Sequence, residues 1–142
     1  TYAEVESFGV GQSATAVYTA PGDGRDLNIT IDADGGYVIH MDYRFDWGGN
    51  PSTGKPWEDI LILNSKPAQT WGPQQHVNNF YFTPGTHVTL GDKSNDGHFA
   101  IIADGIQVAT YDHRLPVNSV KEVKFSTTAG SGTDIWDLLL LP

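Results

Sequence analysis

The stretch Tyr37-Val38-Ile39-His40-Met41-Asp42-Tyr43-Arg44-Phe45 decides the reading of this chain. Side chains of an extended strand alternate between its two faces. Ile39, Met41, Tyr43 and Phe45 therefore share one apolar face, and His40, Asp42 and Arg44 share the other. Three different polar groups in a row, backed by four core residues, make a rigid display surface. Such a surface suits a ligand that carries several hydroxyls.

Outward from this strand the same pattern recurs. Strands are predicted over residues 14–20, 26–33, 37–47, 59–65, 71–82, 86–90, 98–104, 106–111, 120–127 and 134–141. Turn formers divide them: Pro21-Gly22-Asp23-Gly24, Asp34-Gly35-Gly36, Pro84-Gly85, Asn95-Asp96-Gly97, Asp104-Gly105 and Gly130-Ser131-Gly132. Many short strands with closely spaced turns indicate an all-β antiparallel sandwich or barrel. Asp104-Gly105, between two apolar runs, is a hairpin signal, because both central residues of such a turn need positive φ. With no linker and no internal repeat, residues 1–142 read as a single domain.

In Asp59-Ile60-Leu61-Ile62-Leu63-Asn64, Leu61 and Leu63 point to the core, which places Asn64 on the opposite face with Ile60 and Ile62. Trp71-Gly72-Pro73-Gln74-Gln75-His76 then offers an aromatic followed by polar side chains, with Gln74 and His76 on one face if the segment is extended. Trp136, inside an apolar run, reads as core, whereas Trp47 and Trp57 suit either loop anchoring or ligand contact.

Composition narrows the function. The chain carries a formal charge of −9 with eight Lys and Arg among 142 residues. Nucleic acids reward clustered cations, so no nucleic-acid partner is expected, nor binding to an anionic membrane surface. No stretch approaches the ~20 apolar residues of a membrane span. There are no cysteines, hence no disulfide and no thiolate chemistry. The five histidines are dispersed without metal-ligand spacing, so neither metal nor cofactor is expected. The N-terminus lacks the basic and apolar regions of a signal peptide, and the expected location is cytoplasmic, or secreted without such a peptide.

The quoted residues resemble the galectin family. Its carbohydrate site carries His-x-Asn-x-Arg on one strand, an Asn on the next, then Trp-Gly-x-Glu-x-Arg. Here the corresponding text is His40-Met41-Asp42-Tyr43-Arg44, Asn64-Ser65, and Trp71-Gly72-Pro73-Gln74-Gln75-His76. Phe80-Tyr81-Phe82-Thr83-Pro84-Gly85 is similar to the family's aromatic strand and Pro-Gly turn. Tyr111-Asp112-His113-Arg114-Leu115 is similar to its later strand and Arg-Leu corner. The resemblance covers nearly the whole chain and implies a two-sheet antiparallel, jelly-roll-like sandwich of the galectin and concanavalin type. Asp42 stands where the animal pattern has Asn, Gln74 where it has Glu, and His76 where it has Arg. These changes, with the long segment between Arg44 and Asn64, make the chain look more like fungal members than vertebrate ones.

The resemblance implies a lectin for β-galactosides such as lactose or N-acetyllactosamine. Trp71 would lie under the apolar face of the galactose ring, gaining ~25 cal/mol per Å² of apolar surface removed from water. His40, Arg44 and Asn64 would bond the axial hydroxyl and ring oxygen. An equatorial epimer would leave site groups unpaired at a cost of ~1–3 kcal/mol. Gln74 does not neutralise Arg44, so Asp42 or Glu58 would supply the bracing charge and His76 would replace the second Arg. Beside an Arg, either carboxylate is expected to stay ionised.

Taken alone, a His/Asp/Arg row is commonly a solvated face with an incidental ion pair. Asn64 and Trp71 at family spacing turn it into a site. Catalysis would need two carboxylates across a cleft, with Asp42 and Glu58 the only evident pair, and no acid of raised pKa is expected. An altered glycan preference, or a decayed site that binds protein partners, is the other alternative. A single weak sugar site gives little avidity, so a homodimer or higher homo-oligomer is expected.

Overall fold

The structure is a computed structural model, and it describes residues 2–4, 10–20, 26–47, 58–77, 82, 86–117, 120–127 and 135–141. Among them are eleven strands: β1 (Tyr2–Glu4), β2 (Ser13–Thr19), β3 (Asp26–Ala33), β4 (Gly36–Trp47), β5 (Glu58–Pro67), β6 (Gln75–Val77), β7 (His87–Ser94), β8 (His98–Ala103), β9 (Ile106–Asp112), β10 (Val120–Thr127) and β11 (Ile135–Leu141). They form two antiparallel sheets. One has six strands in the order β1-β10-β3-β4-β5-β6, and the other five in the order β11-β2-β7-β8-β9.

Alternation explains the layering. On β4 the inward residues Ile39, Met41 and Tyr43 are fully buried, as are Leu61 and Leu63 on the neighbouring β5. Leu27, Ile29 and Ile31 of β3 and Val123 and Phe125 of β10 continue that inner face. The five-stranded sheet answers with Ala14, Ala16, Tyr18, Leu90, Phe99, Ile101 and Tyr111. Burying apolar side chains from both sheets in one layer is the main force joining them.

The Asp104-Gly105 hairpin forms as expected, with φ of 49° and 80°, and the Asp104 carboxylate accepts a 2.8 Å bond from the Thr89 amide. Three expectations are corrected. Of the strand expected over residues 71–82, Gln75–Val77 is in a strand and residues 78–81 lie outside the described residues, but residues 71–74 are not extended into the sheet, because that segment spends its amides elsewhere: Pro73 has none, and the Gly72 amide donates to the Ser65 carbonyl at 3.0 Å. β7 runs past its expected end at Leu90 to Ser94, since Gly91 is no turn. It lets β2 approach, and a Cβ there would collide with the Ala14 carbonyl. β1, which carries no alternating signal in three residues, was not foreseen.

Register positions the polar face. His40 pairs with Thr30 on β3 and Asn64 on β5, Asp42 with Asn28 and Ile62, and Arg44 with Asp26 and Ile60. Directly opposite residues share a face, so these side chains lie together on the outer surface of the six-stranded sheet.

Candidate functional site

His40, Asp42, Arg44, Ile62, Asn64, Trp71, Gly72 and Gln74 line one open cavity of about 290 Å³ on that outer surface. Six of the eight residues singled out in the sequence are therefore brought together. His76 does not line the cavity. It lies exposed on β6, where its Nε2 is 3.0 Å from Gln74 Oε1, so it orients Gln74. Glu58 starts β5, opposite Trp47 in register, and its side chain lies outside the described residues. The side chains of Trp47 and Trp136, and residue Trp57 altogether, also lie outside them.

Trp71 is 45% exposed, unusual for so large an apolar group, and its indole forms one wall. Its ring centroid lies 5.2 Å from the His40 imidazole, in an edge-on arrangement. On the floor, His40 Nδ1 shares a 2.7 Å hydrogen bond with Thr30 Oγ1. That bond holds the ring and leaves Nε2 as its remaining polar atom. Burial pushes the His40 pKa down, against the raising effect of Asp26, and Lys66 adds to the lowering. The imidazole is therefore neutral at pH 7, able to donate or accept but not to repel a cation.

Arg44 Nε donates to Asp42 Oδ2 at 2.8 Å, so Asp42 does brace Arg44 as the spacing implied. Its ionisation differs from expectation. Burial pushes the Asp42 carboxyl up to about 6, outweighing the Arg44 bond that lowers it, and the Asp26 carboxyl adds to the rise. Asp42 Oδ1 is buried and accepts no hydrogen bond from the described residues. A proton on Asp42 has a neighbouring acceptor in Asp26, which adds to the larger effect of burial. Acids of raised pKa therefore exist here, a second being Asp92 in the core.

Asn64 is 5% exposed and largely committed to the protein. Its Nδ2 donates to the Gly72 carbonyl at 2.8 Å, and its Oδ1 accepts from the Ser65 amide at 2.8 Å and from Arg114 at 3.2 Å. One amide N–H is left for a ligand. Arg114 was legible only as part of the Arg-Leu corner. It follows β9 of the opposite sheet, yet its guanidinium also donates to the Pro73 carbonyl at 2.8 Å and lies 4.8 Å from the centre of the Tyr111 ring. Gly72 is small for this reason, since a Cβ there would meet the Arg114 guanidinium at 3.0 Å. Ser65 completes the joint. Its Oγ donates to the Val38 carbonyl at 2.8 Å and shares a 2.6 Å bond with the Tyr111 hydroxyl.

Among the described residues no cluster of His, Cys, Asp and Glu has the arrangement of a metal site. What the cavity offers is one aromatic wall, a neutral imidazole, a guanidinium and two amides. That set recognises hydroxyls and an apolar ring face together.

The family model described as galactoside-binding lectin matches residues 8–129. Galectin b of the sponge Aplysina lactuca is 43% identical over 118 residues, 83% of this chain and 81% of the relative. Galectin a of the same sponge is 43% identical over 127 residues, 89% of this chain and 85% of the relative. Among solved structures, a tetrameric galectin from the ball sponge Cinachyrella sp. superposes with a TM-score of 0.82 at 24% identity, covering 100% of this chain and 99% of that one. A toad ovary galectin in complex with thio-digalactose superposes with a TM-score of 0.75 at 18% identity, covering 99% of this chain and 96% of that one. The structural likenesses establish the sandwich, and the family match with the sponge relatives establishes more: this chain belongs to the galectins.

Proposed function

We propose that the cavity over β4 and β5 binds a β-galactoside, lactose or N-acetyllactosamine, without catalysis. The observation that carries the reading is the half-exposed Trp71 indole standing beside the row of His40, Arg44 and Asn64. The indole takes the apolar face of the galactose ring. His40 Nε2, the Arg44 guanidinium and the last Asn64 N–H meet the axial hydroxyl and ring oxygen, with Gln74 reaching the second sugar. Asp42 holds Arg44 in place through its 2.8 Å bond to that guanidinium. Glycans, rather than nucleic acids or membranes, are the partners, and a homo-oligomer would supply the avidity that one shallow site lacks.

Isothermal titration with lactose tests this. Trp71→Ala should weaken binding at least tenfold in a folded protein, and an undiminished affinity would sink the proposal. A shift of specificity away from galactose is favoured by one feature, the Gln74–His76 pair where the family carries Glu and Arg. A glycan array dominated by non-galactose sugars would establish it.

A further inference from the structure

Along β4 the alternation of faces breaks once. Val38 and Ile39 are neighbours in the chain, yet both are buried. Tyr37 and His40, on either side of them, are half-buried with their rings stacked 6.3 Å apart. On an unbroken strand residues three apart point to opposite faces. The cause is a β-bulge. Against β3 the successive pairs Ile31–Ile39 and Asp32–Tyr37 skip Val38. Against β5, Ser65 alone separates Asn64 from Lys66, where β4 holds both Val38 and Ile39 between His40 and Tyr37.

The bulge builds the site. It sets His40 opposite Asn64, where an unbroken ladder continued from Tyr37 and Lys66 would set Ile39. It also lets Tyr37 and His40 flank Trp71, with ring centroids 5.8 and 5.2 Å from the indole.

A bulge disrupts the ladder locally, and here a side chain takes up the Val38 carbonyl. Ser65 Oγ donates to it at 2.8 Å. That bond spends the only hydroxyl proton of the serine, so in the 2.6 Å contact with Tyr111 the tyrosine is the donor. The relay therefore runs from the Tyr111 hydroxyl to the Ser65 hydroxyl to the Val38 carbonyl. Ser65 and Tyr111 are 0% and 1% exposed, which keeps bulk water from competing for either group. Ser65 also reaches the rest of the site through its backbone. Its amide donates to Asn64 Oδ1 at 2.8 Å, and its carbonyl accepts from the Gly72 amide, next to Trp71, at 3.0 Å.

We infer that Tyr111 and Ser65 are positioning residues for sugar recognition: their hydroxyl relay, anchored in the five-stranded sheet, locks the β4 bulge that sets His40 beside Asn64 and Trp71. Its effect on binding rests on the galactoside reading. Neither residue lines the sugar cavity, and both act through His40 and Asn64. Without the relay the Val38 carbonyl loses its donor, and the bulge loses the bond that favours it over the unbroken register.

The test combines titration calorimetry with lactose and NMR of the His40 imidazole in the sugar-free protein, its signals identified by their loss in His40→Gln. Tyr111→Phe removes one oxygen and keeps the ring beneath Arg114. It should shift the His40 signals and weaken lactose binding about fivefold in a folded protein. Ser65→Ala should do the same more strongly, and the double variant should bind no more weakly than Ser65→Ala, because the tyrosine acts through the serine. Phe125→Leu, a core truncation on β10, should leave both readouts unchanged. His40 signals and lactose affinity that stay at wild-type values in Tyr111→Phe overturn the inference. So does a Phe125→Leu variant that moves both readouts as far, or a double variant whose loss is the product of the two single ones. If the wild-type protein binds no lactose, the galactoside reading fails, and the His40 signals still decide the inference.

Discussion

Asp92 is the least comfortable residue in the core, and replacing it with Asn should make the protein more stable toward alkaline pH. On β7 it points inward with Val88 and Leu90, 1% exposed, and neither carboxyl oxygen has a hydrogen-bond partner among the described residues. Ser94, two residues on and facing the same way, has a buried hydroxyl likewise without a partner among them. Burial pushes the Asp92 carboxyl from 3.8 up to about 8, so at pH 7 the folded chain holds it as a neutral acid while the unfolded chain ionises it. The folded state then binds one more proton than the unfolded state. Stability contributed in this way is complete below the unfolded value near 4, is lost as pH rises toward the folded value, and levels off above it. Each pH unit inside that window costs about 1.4 kcal/mol, so the loss between pH 5 and pH 8 is on the order of 4 kcal/mol. Against a typical domain stability of 5–15 kcal/mol this is a large fraction.

Asn is nearly isosteric and neutral throughout, so Asp92→Asn removes the dependence without opening a cavity. Urea unfolding of both proteins across that pH range measures it, with equal m values required for the comparison. His40 and His113, whose pKa values are lowered by burial, make contributions of the opposite sign, lost as pH falls, and Asp42 contributes at acid pH. Those groups are common to both proteins and cancel in the difference. Parallel stability curves, with no widening gap toward pH 8, would refute the reasoning.

Other outcomes follow from the site. Arg114→Met should lower lactose affinity by about tenfold in a folded protein, because the Pro73 carbonyl and Asn64 Oδ1 lose a charged donor that fixes them. Arg114→Lys should not restore it, since one ammonium does not reproduce the guanidinium fork. Lactose affinity should fall with an inflection near pH 6 as Asp42 takes up a proton and releases Arg44. Asp42→Asn should abolish that inflection, whereas titration of His40 would leave it in place. Ala68→Gly should stabilise the fold by about 0.5–1 kcal/mol in urea unfolding, because Ala68 sits at φ 49° and glycine removes the left-handed penalty at some entropic cost.

The strands were legible wherever their signal is local. Nine residues around Met41 suffice to separate an inner face of Ile39, Met41 and Tyr43, all fully buried, from an outer face of His40, Asp42 and Arg44, of which Asp42 alone is buried. The Asp104-Gly105 turn was legible for the same reason, its chemistry lying within two residues. The segment from Trp71 to Gln74 was not. Its backbone partners are Ser65 and Arg114, supplied by elements already folded around it.

The sequence by itself determined an antiparallel all-β architecture and the sheet face on which His40, Asp42 and Arg44 lie, because alternation is a property of neighbouring residues, and the resemblance of its motifs to the galectins added the sandwich. Tertiary structure alone decided three things. It brought Arg114 across from the opposite sheet to Asn64, fifty positions away, a contact that no local pattern encodes. It stood the Lys66 ammonium against the rings of Tyr37 and Trp71. It also buried Asp42 and Asp92 deeply enough to raise their pKa values, because desolvation depends on everything packed around a carboxyl and not on the residues next to it in the chain.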